Sequence, residues 1–412
     1  MSDKTLKKQR VTMRDVAEMA DVSLTAVSFV FSGNGRVSEE TAQRVLEVAE
    51  KLKYKPPRHN FKTAPHRNYT VRAGQGAGKP SPIRDLDEEI DFLRVEFDQR
   101  RQEGFDVQRL QALVRAIIEG EPDITDVEAA REQLEQTTMR RDYAYIEPSD
   151  WEGIVRQRPG PTRFHSGFMA DALYDRIYGG WLGRCAGCIL GRPLENLEPE
   201  RNSYLTIQEL LMRGGAYPLD GYVPEIIPRP TAHGDGQHVR SSLRGHIQYM
   251  ARDDDLDYTI MNLLALEQFG GDATSEQIAH IWMWHMPYNG TYTSEHIAYR
   301  NLVNNYGPPD SATYRNPFRE YIGAQIRGDL FGYTAPGIPE LAAQRAWRDA
   351  RISHIKNGMY GEMMVAAMVA AAFCTTDTEA IIEAGLSVIP ARSRMAEAVR
   401  ETVEFSRSHP RW

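Results

Sequence analysis

Apolar residues at helical spacing recur through three stretches of the chain. In residues 11–55, Val16, Ala17 and Ala20 predict the buried side of a first helix. Ala26, Val27 and Val30 predict that of a second, from Leu24 to Phe31, and Ala42, Val45, Leu46, Ala49 and Leu52 that of a third. Thr12 followed by Asp15 reads as a capping box, Ser23 and Ser38 as caps of the next two helices, and Asp21-Val22 as the turn between the first pair. Pro56-Pro57 stops the pattern, because proline lacks the helical donor and restricts the residue before it. Residues 86–145 are again helical, with an apolar stripe through Leu93 and Phe97 and charge on the other faces. From about residue 169 onward, helical patterning alternates with loops rich in glycine and proline, and Met363 to Phe373 predicts a buried helix. Strand signals are few, no fixed-period repeat is found, and the expected class is mainly α.

Composition shifts divide this pattern. Residues 58–85 are rich in Gly, Pro, Asn, Arg and His around RAGQGAGKPSP. Gly74, Gly76 and Gly78 follow no strand and open no helix, so they read as linker and not as a phosphate loop. The Pro-rich RPGPT marks another boundary. The expected organisation is a three-helix head over 1–57, a linker over 58–85, a helical adaptor over 86–168 and an all-α domain over 169–412. In a chain of 412 residues, no apolar run reaches the ~18–20 needed to cross a bilayer, which excludes a helical membrane protein. The basic N-terminus has no apolar core behind it, and three cysteines are too few for a disulfide framework, so a cytoplasmic location is expected. Net charge is −8, but residues 1–60 carry 11 Lys+Arg against 8 Asp+Glu. Any polyanion is therefore expected to meet the head and not the acidic remainder.

Three short helices with a tight second turn can hold one helix outward, into a DNA major groove. The stretch VTMRDVAEMADVSLTAVSFVFSGNGRVSEETAQRVLEVAEKLKYKP resembles the DNA-binding head of the lac repressor family. That resemblance implies that Ser23, Leu24, Thr25 and Ser28 face bases and phosphates, while Thr12 and Tyr54 hold the backbone. It implies double-stranded DNA as partner and a homodimer on a two-fold site. The sequence departs from the family at Asp21, where a glycine is usual, at Phe29, where a basic residue is usual, and at Pro57, where Asn is usual. The Ala-Arg pair of the family's hinge helix is absent. The alternating strands and helices of that family's sensor domain are also not seen, so a different body is expected.

Three clusters carry the chemistry of the body. Asp175 to Glu195 places glycines at 179, 183, 187 and 191, one smooth helical face open to either another helix or a ligand, and Pro193 ends that helix with Glu195 at its mouth. Cys185 and Cys188 form a lone CxxC, read as two small thiols and not as zinc ligands. Asp253, Asp254, Asp255 and Asp257 crowd before the helix IMNLLALEQFG. Such density needs a cation or a helix N-terminus, and suggests either a Mg²⁺ site or a solvated loop. Finally, Arg327, Asp329, Asp349, His354 and Asn357 are polar residues set in apolar sequence between Asn316 and Phe373.

Together these clusters resemble the ADP-ribosylglycohydrolase family from about Asp175 to the end. The resemblance implies an all-α domain around a magnesium cleft, hydrolysing the glycosidic bond of ADP-ribose. It implies Asp253, Asp254 and Asp255 as metal ligands, Glu195 as the catalytic base, and Gly323, Arg327, His354 and Gly358 as ligand-binding residues along the nucleotide-ribose cleft. Two departures follow: Cys188 stands where an aspartate is usual, and the late Asp-x-Asp-Thr run is missing, since Thr375-Thr-Asp-Thr378 reads as a helix cap. The expectation is a shortened member with impaired or absent hydrolase activity. It would act as a DNA-binding transcriptional regulator whose body senses an ADP-ribose-like or nucleoside ligand. The alternative is an active, magnesium-dependent ADP-ribosyl hydrolase tethered to DNA.

Overall fold

The computed structural model describes residues 13–23, 26–27, 30–31, 37–54, 86–160, 162–164, 170–195, 203–225 and 240–409. Among them there is no β-strand, only an isolated bridge between Phe105 and Met139. The chain divides into two compact units, Met1–Ser81 and Pro82–Trp412. No helix among the described residues is long and apolar enough to cross a membrane.

In the first unit, α1 (Met13–Ala20) and α2 (Glu39–Lys51) flank a short helical stretch that includes Ala26, Val27, Val30 and Phe31. Val16, Ala17, Ala20, Val27, Val45 and Ala49 close the core. Leu46, expected inside, is exposed, one step off the buried face. Ser23 Oγ accepts from the amide of Ala26 at 3.1 Å, and Ser38 Oγ from that of Thr41 at 3.2 Å, so both predicted caps are made. Asp21 sits at φ 51°, in the left-handed region, while the Asp21 and Val22 amides donate back to Glu18 and Ala17. This is the turn for which glycine is best suited, because a side chain there crowds the backbone. Thr12, Leu24, Thr25 and Ser28 lie outside the described residues, and so does the capping box that needs Thr12.

The second unit begins with α3 (Leu86–Gln102), α4 (Gln111–Glu119), α5 (Ile124–Glu135) and α6 (Trp151–Gln157). It continues through α7 (Ala170–Gly191), α8 (Ser203–Arg213), α9 (Asp254–Phe269), α10 (Ser275–His285), α11 (Thr293–Val303) and α12 (Asp310–Thr313). Its last elements are α13 (Asp329–Tyr333), α14 (Pro339–Ala350), α15 (Lys356–Ala372), α16 (Thr378–Leu386) and α17 (Arg394–Ser408). The core is α15 against α14. Ala342, Ala343, Ala346 and Ala350 share it with Ala366, Ala367 and Ala370, all buried, and side chains this small let helices approach closely. Asp377 caps α16 by accepting from the amides of Glu379 and Ala380, as the sequence suggested.

The helices of residues 86–135 hold a small apolar cluster of their own, around Leu93, Val114, Val127 and Leu134. They also join the later helices through partly buried ion pairs: Arg319 meets Glu96 at 2.5 Å and Glu103 at 2.6 Å, and Lys356 meets Glu103 at 2.5 Å. Arg315 pairs with Glu128 at 2.7 Å, and Arg394 bridges Glu147 and Glu320 at 2.8 Å each. The segment set apart in the sequence as an adaptor thus packs within the same compact unit as the domain after it.

Candidate functional site

The acidic run opens α9. Asp253 is its cap, accepting from the amide of Asp255 at 3.2 Å, and so places Asp254 and Asp255 in the first helical turn. The run lies against α7. Arg184 donates from Nη1 to Asp255 at 3.0 Å, from Nε to Asp329 at 3.2 Å and from Nη2 to the carbonyl of Ile326. Arg192, just past α7, lies 3.6 Å from Asp253 and donates to the Arg252 carbonyl, and Arg252 pairs with Asp257 at 2.6 Å. Asp329 is held further by the hydroxyl of Thr259 at 2.9 Å and by the amide of Leu330 at 2.8 Å. The acids are therefore not splayed into solvent. Three arginines answer them, and two of these come from the glycine-lined helix or its end.

Asp254 is different. Among the described residues its carboxyl has no side-chain hydrogen bond or ion pair, and it is pushed up to about 7, first by burial and then by Asp253, Asp255 and Glu295. Asp255 rises to about 6 through burial and Asp253, against the pull of Arg184. The Cys188 thiol sits in the same group, its sulfur and a carboxylate oxygen of each of Asp253 and Asp255 lying within 4.8 Å of one another. Burial and the two aspartates push that thiol up to about 12, so it stays protonated. Glu195 is exposed as a residue, yet its carboxyl is lifted by partial desolvation and then by Asp253.

This donor set does not fit a firmly held magnesium ion. Mg²⁺ takes oxygen ligands in a near-ideal octahedron. Here Asp255 and Asp329 share one guanidinium, Asp253 accepts from a helix amide with Arg192 at 3.6 Å, and a thiol, a poor ligand for this ion, stands with Asp253 and Asp255 within 4.8 Å, which leaves Asp254 as the carboxylate of the run without a side-chain partner among the described residues. A dication drawn to those carboxylates would be repelled by the Arg184 guanidinium already among them.

The residues expected along the ligand cleft are brought together, but inside the protein. Arg327 is completely buried, donating to Asp349 at 2.5 Å, to Glu295 at 3.0 Å and to Ser353 at 3.0 Å, with Glu362 at 3.4 Å. Its guanidinium carbon lies 4.8 Å from the Trp282 ring centre and 5.4 Å from that of Tyr258. His354 is equally buried; Ser353 Oγ meets its Nδ1 at 2.8 Å, and burial with Arg327 nearby keeps its ring neutral. Gly323 leaves the space that Glu295 fills, and a Cβ at Gly358 would come within 2.8 Å of the His354 ring. The centre of the group is Glu295, pushed up to about 7 by burial despite Arg327 beside it. A guanidinium this enclosed cannot touch a ligand from solvent; it holds in place the helices that frame the acidic run.

Sequence reasoning missed Glu295 and Arg184. Glu295 gave little signal, standing in the first turn of an ordinary helix. Arg184 gave more: it is the one charged residue between Arg176 and Arg192 on an otherwise apolar, glycine-rich helix. The glycines themselves divide differently than expected. No described atom lies within 4 Å of a Cβ built at Gly179, Gly183, Gly187 or Gly191, whereas one at Gly180 would lie 2.9 Å from the Tyr333 ring. In the head, Ser23 is exposed and Tyr54 half-buried against Phe31, at 5.7 Å between ring centres.

Residues 169–412 match the family model of ADP-ribosylglycohydrolase, and residues 12–57 match that of bacterial regulatory proteins, lacI family. The sucrose operon repressor of Klebsiella pneumoniae is 39% identical over 69 residues, 16% of this chain and 21% of that one. The HTH-type transcriptional regulator pepR1 of Lactobacillus delbrueckii is 49% identical over 51 residues, 12% and 15% of the two chains. The HTH-type transcriptional regulator AscG of Escherichia coli is 51% identical over 45 residues, 11% and 13%. The chain thus spans about a fifth or less of the length of these relatives. No solved structure matches the chain.

Proposed function

The chain belongs to the ADP-ribosylglycohydrolase family and carries a lacI-family DNA-binding head, and from this premise we propose that it is a transcriptional regulator whose body senses an ADP-ribose-like or nucleoside ligand without cleaving it. The observation that supports the reading is the pairing of Asp255 and Asp329 with Arg184, which sets a fixed positive charge inside the acidic pocket where a hydrolytic metal centre would have to gather carboxylates. The head supports the DNA half: its core is closed, and both Ser caps are made. Such heads bind two-fold sites in pairs, so the working form is a homodimer.

The test has two parts. Selection from a random duplex library should yield a preferred site with two-fold symmetry, and ADP-ribose or a nucleoside should change the affinity for it. Calorimetry with ADP-ribose should give binding in the presence of a chelator. The other reading, an active magnesium-dependent hydrolase tethered to DNA, draws on Glu195, whose carboxyl is lifted first by partial desolvation and then by Asp253 beside it, the direction that suits a general base. Magnesium-dependent release of ADP-ribose by the purified chain would establish that reading and end ours.

A further inference from the structure

The geometry points to Arg184 as the permanent cation of the acidic pocket, standing where a divalent ion would otherwise neutralise Asp255 and Asp329. Three observations carry this inference. All three nitrogens of the Arg184 guanidinium are used, on Asp255, on Asp329 and on the Ile326 carbonyl, so one side chain of α7 ties together the start of α9, the start of α13 and the turn before it. A metal bridging the same two carboxylates would tie the same elements, and its charge would compete with that of the guanidinium. The pocket's other partners follow the same choice. Asp253 lies 3.6 Å from Arg192, and Cys188 brings a sulfur where a hard cation would call for an oxygen. Three of the five N–H donors of Arg184 are spent on these partners, so its first role is to position the carboxylates. A delocalised guanidinium suits it, presenting a planar fork to two carboxylates where an ammonium would present a point charge. The inference concerns only the source of positive charge and stands whether or not ADP-ribose is the ligand.

It is tested with the full chain and Mn²⁺ as probe, read by electron paramagnetic resonance of the free ion, with calorimetry of ADP-ribose run separately. The native protein should show no saturable Mn²⁺ site below about millimolar concentration, and its thermal midpoint should be unmoved by EDTA. Arg184→Met, which keeps the stem and removes the charge, should gain a Mn²⁺ site at least tenfold tighter. Arg184→Lys should gain none, because it keeps the charge. If Arg184→Met does not fold by itself, millimolar Mn²⁺ should restore its helical circular dichroism. A micromolar Mn²⁺ site in the native chain, a folded Arg184→Met with no gain, or an unfolded one that Mn²⁺ does not rescue, would each overturn the inference. Failure of ADP-ribose to bind would leave these readouts untouched and count only against the proposed ligand.

Discussion

Asp21 carries two burdens at one position. Its backbone is left-handed at φ 51°, a conformation in which side chains other than glycine cost about 1 kcal/mol, and it adds a carboxylate to a head proposed to work against phosphates. Asp21→Gly is therefore expected to stabilise the head by about 1 kcal/mol. It should also tighten DNA binding, with a larger gain at low salt, in anisotropy measured over a salt series. Glu295 bears on pH. Its folded-state value, near 7, lies above the ordinary 4.5, so the folded form holds the proton more firmly. The stability this contributes is complete below about pH 4.5 and is lost as pH rises through about 7, at up to about 1.4 kcal/mol per pH unit. Asp254, raised to about 7, adds to the same decline. Glu295→Gln should flatten denaturation midpoints across that interval without abolishing the slope; an unchanged slope would show that the carboxyl is ionised throughout. Arg327→Met leaves Asp349 buried without its counter-charge and Glu295 and Glu362, both raised by burial, without their hydrogen-bond donor, and is expected to cost about 3–5 kcal/mol in urea unfolding.

At the scale of elements, what could be read in advance depended on whether the signal was local. The caps at Ser23, Ser38 and Asp377 were visible, because each is a side chain reaching an amide two or three residues on. The burial of Met363 to Phe373 was visible too, as a run of apolar residues too short for anything but a core helix. The acidic run and the glycine helix were each legible, and they do meet. What joins them was hidden: Arg184 and Glu295 act on partners tens of residues away, and neither stands in a pattern with a period. The same blindness set residues 86–168 apart as an adaptor. Their charges looked like solvated faces, yet Glu96, partly buried, and Glu103, buried, are partners of Arg319, and against the upward push of burial Arg319 and Lys356 hold Glu103 down to about 2. A fragment of residues 169–412 would expose Arg319 and Lys356 without their acids and leave Arg394 with Glu320 alone. It is expected to be insoluble or molten by circular dichroism and dye binding, whereas residues 82–412 should unfold cooperatively.

For the whole molecule, the two compact units differ in how far their contacts reach along the chain. The hydrogen bonds described in the head link residues close in sequence, with caps and turns spanning three to five positions. Those that close the larger unit span very long distances: Arg319 and Glu103 are 216 positions apart, Arg394 and Glu147 are 247, and Lys356 and Glu103 are 253. Long closures are slow, and none can form before the later partner exists. On the ribosome, then, the lacI-type head is made early, while the larger unit cannot close until residue 394, the first of the last described helix, is made. In a cell that translates its messages beside its chromosome, an unfinished copy would already expose a folded DNA-binding head until residue 394 emerges.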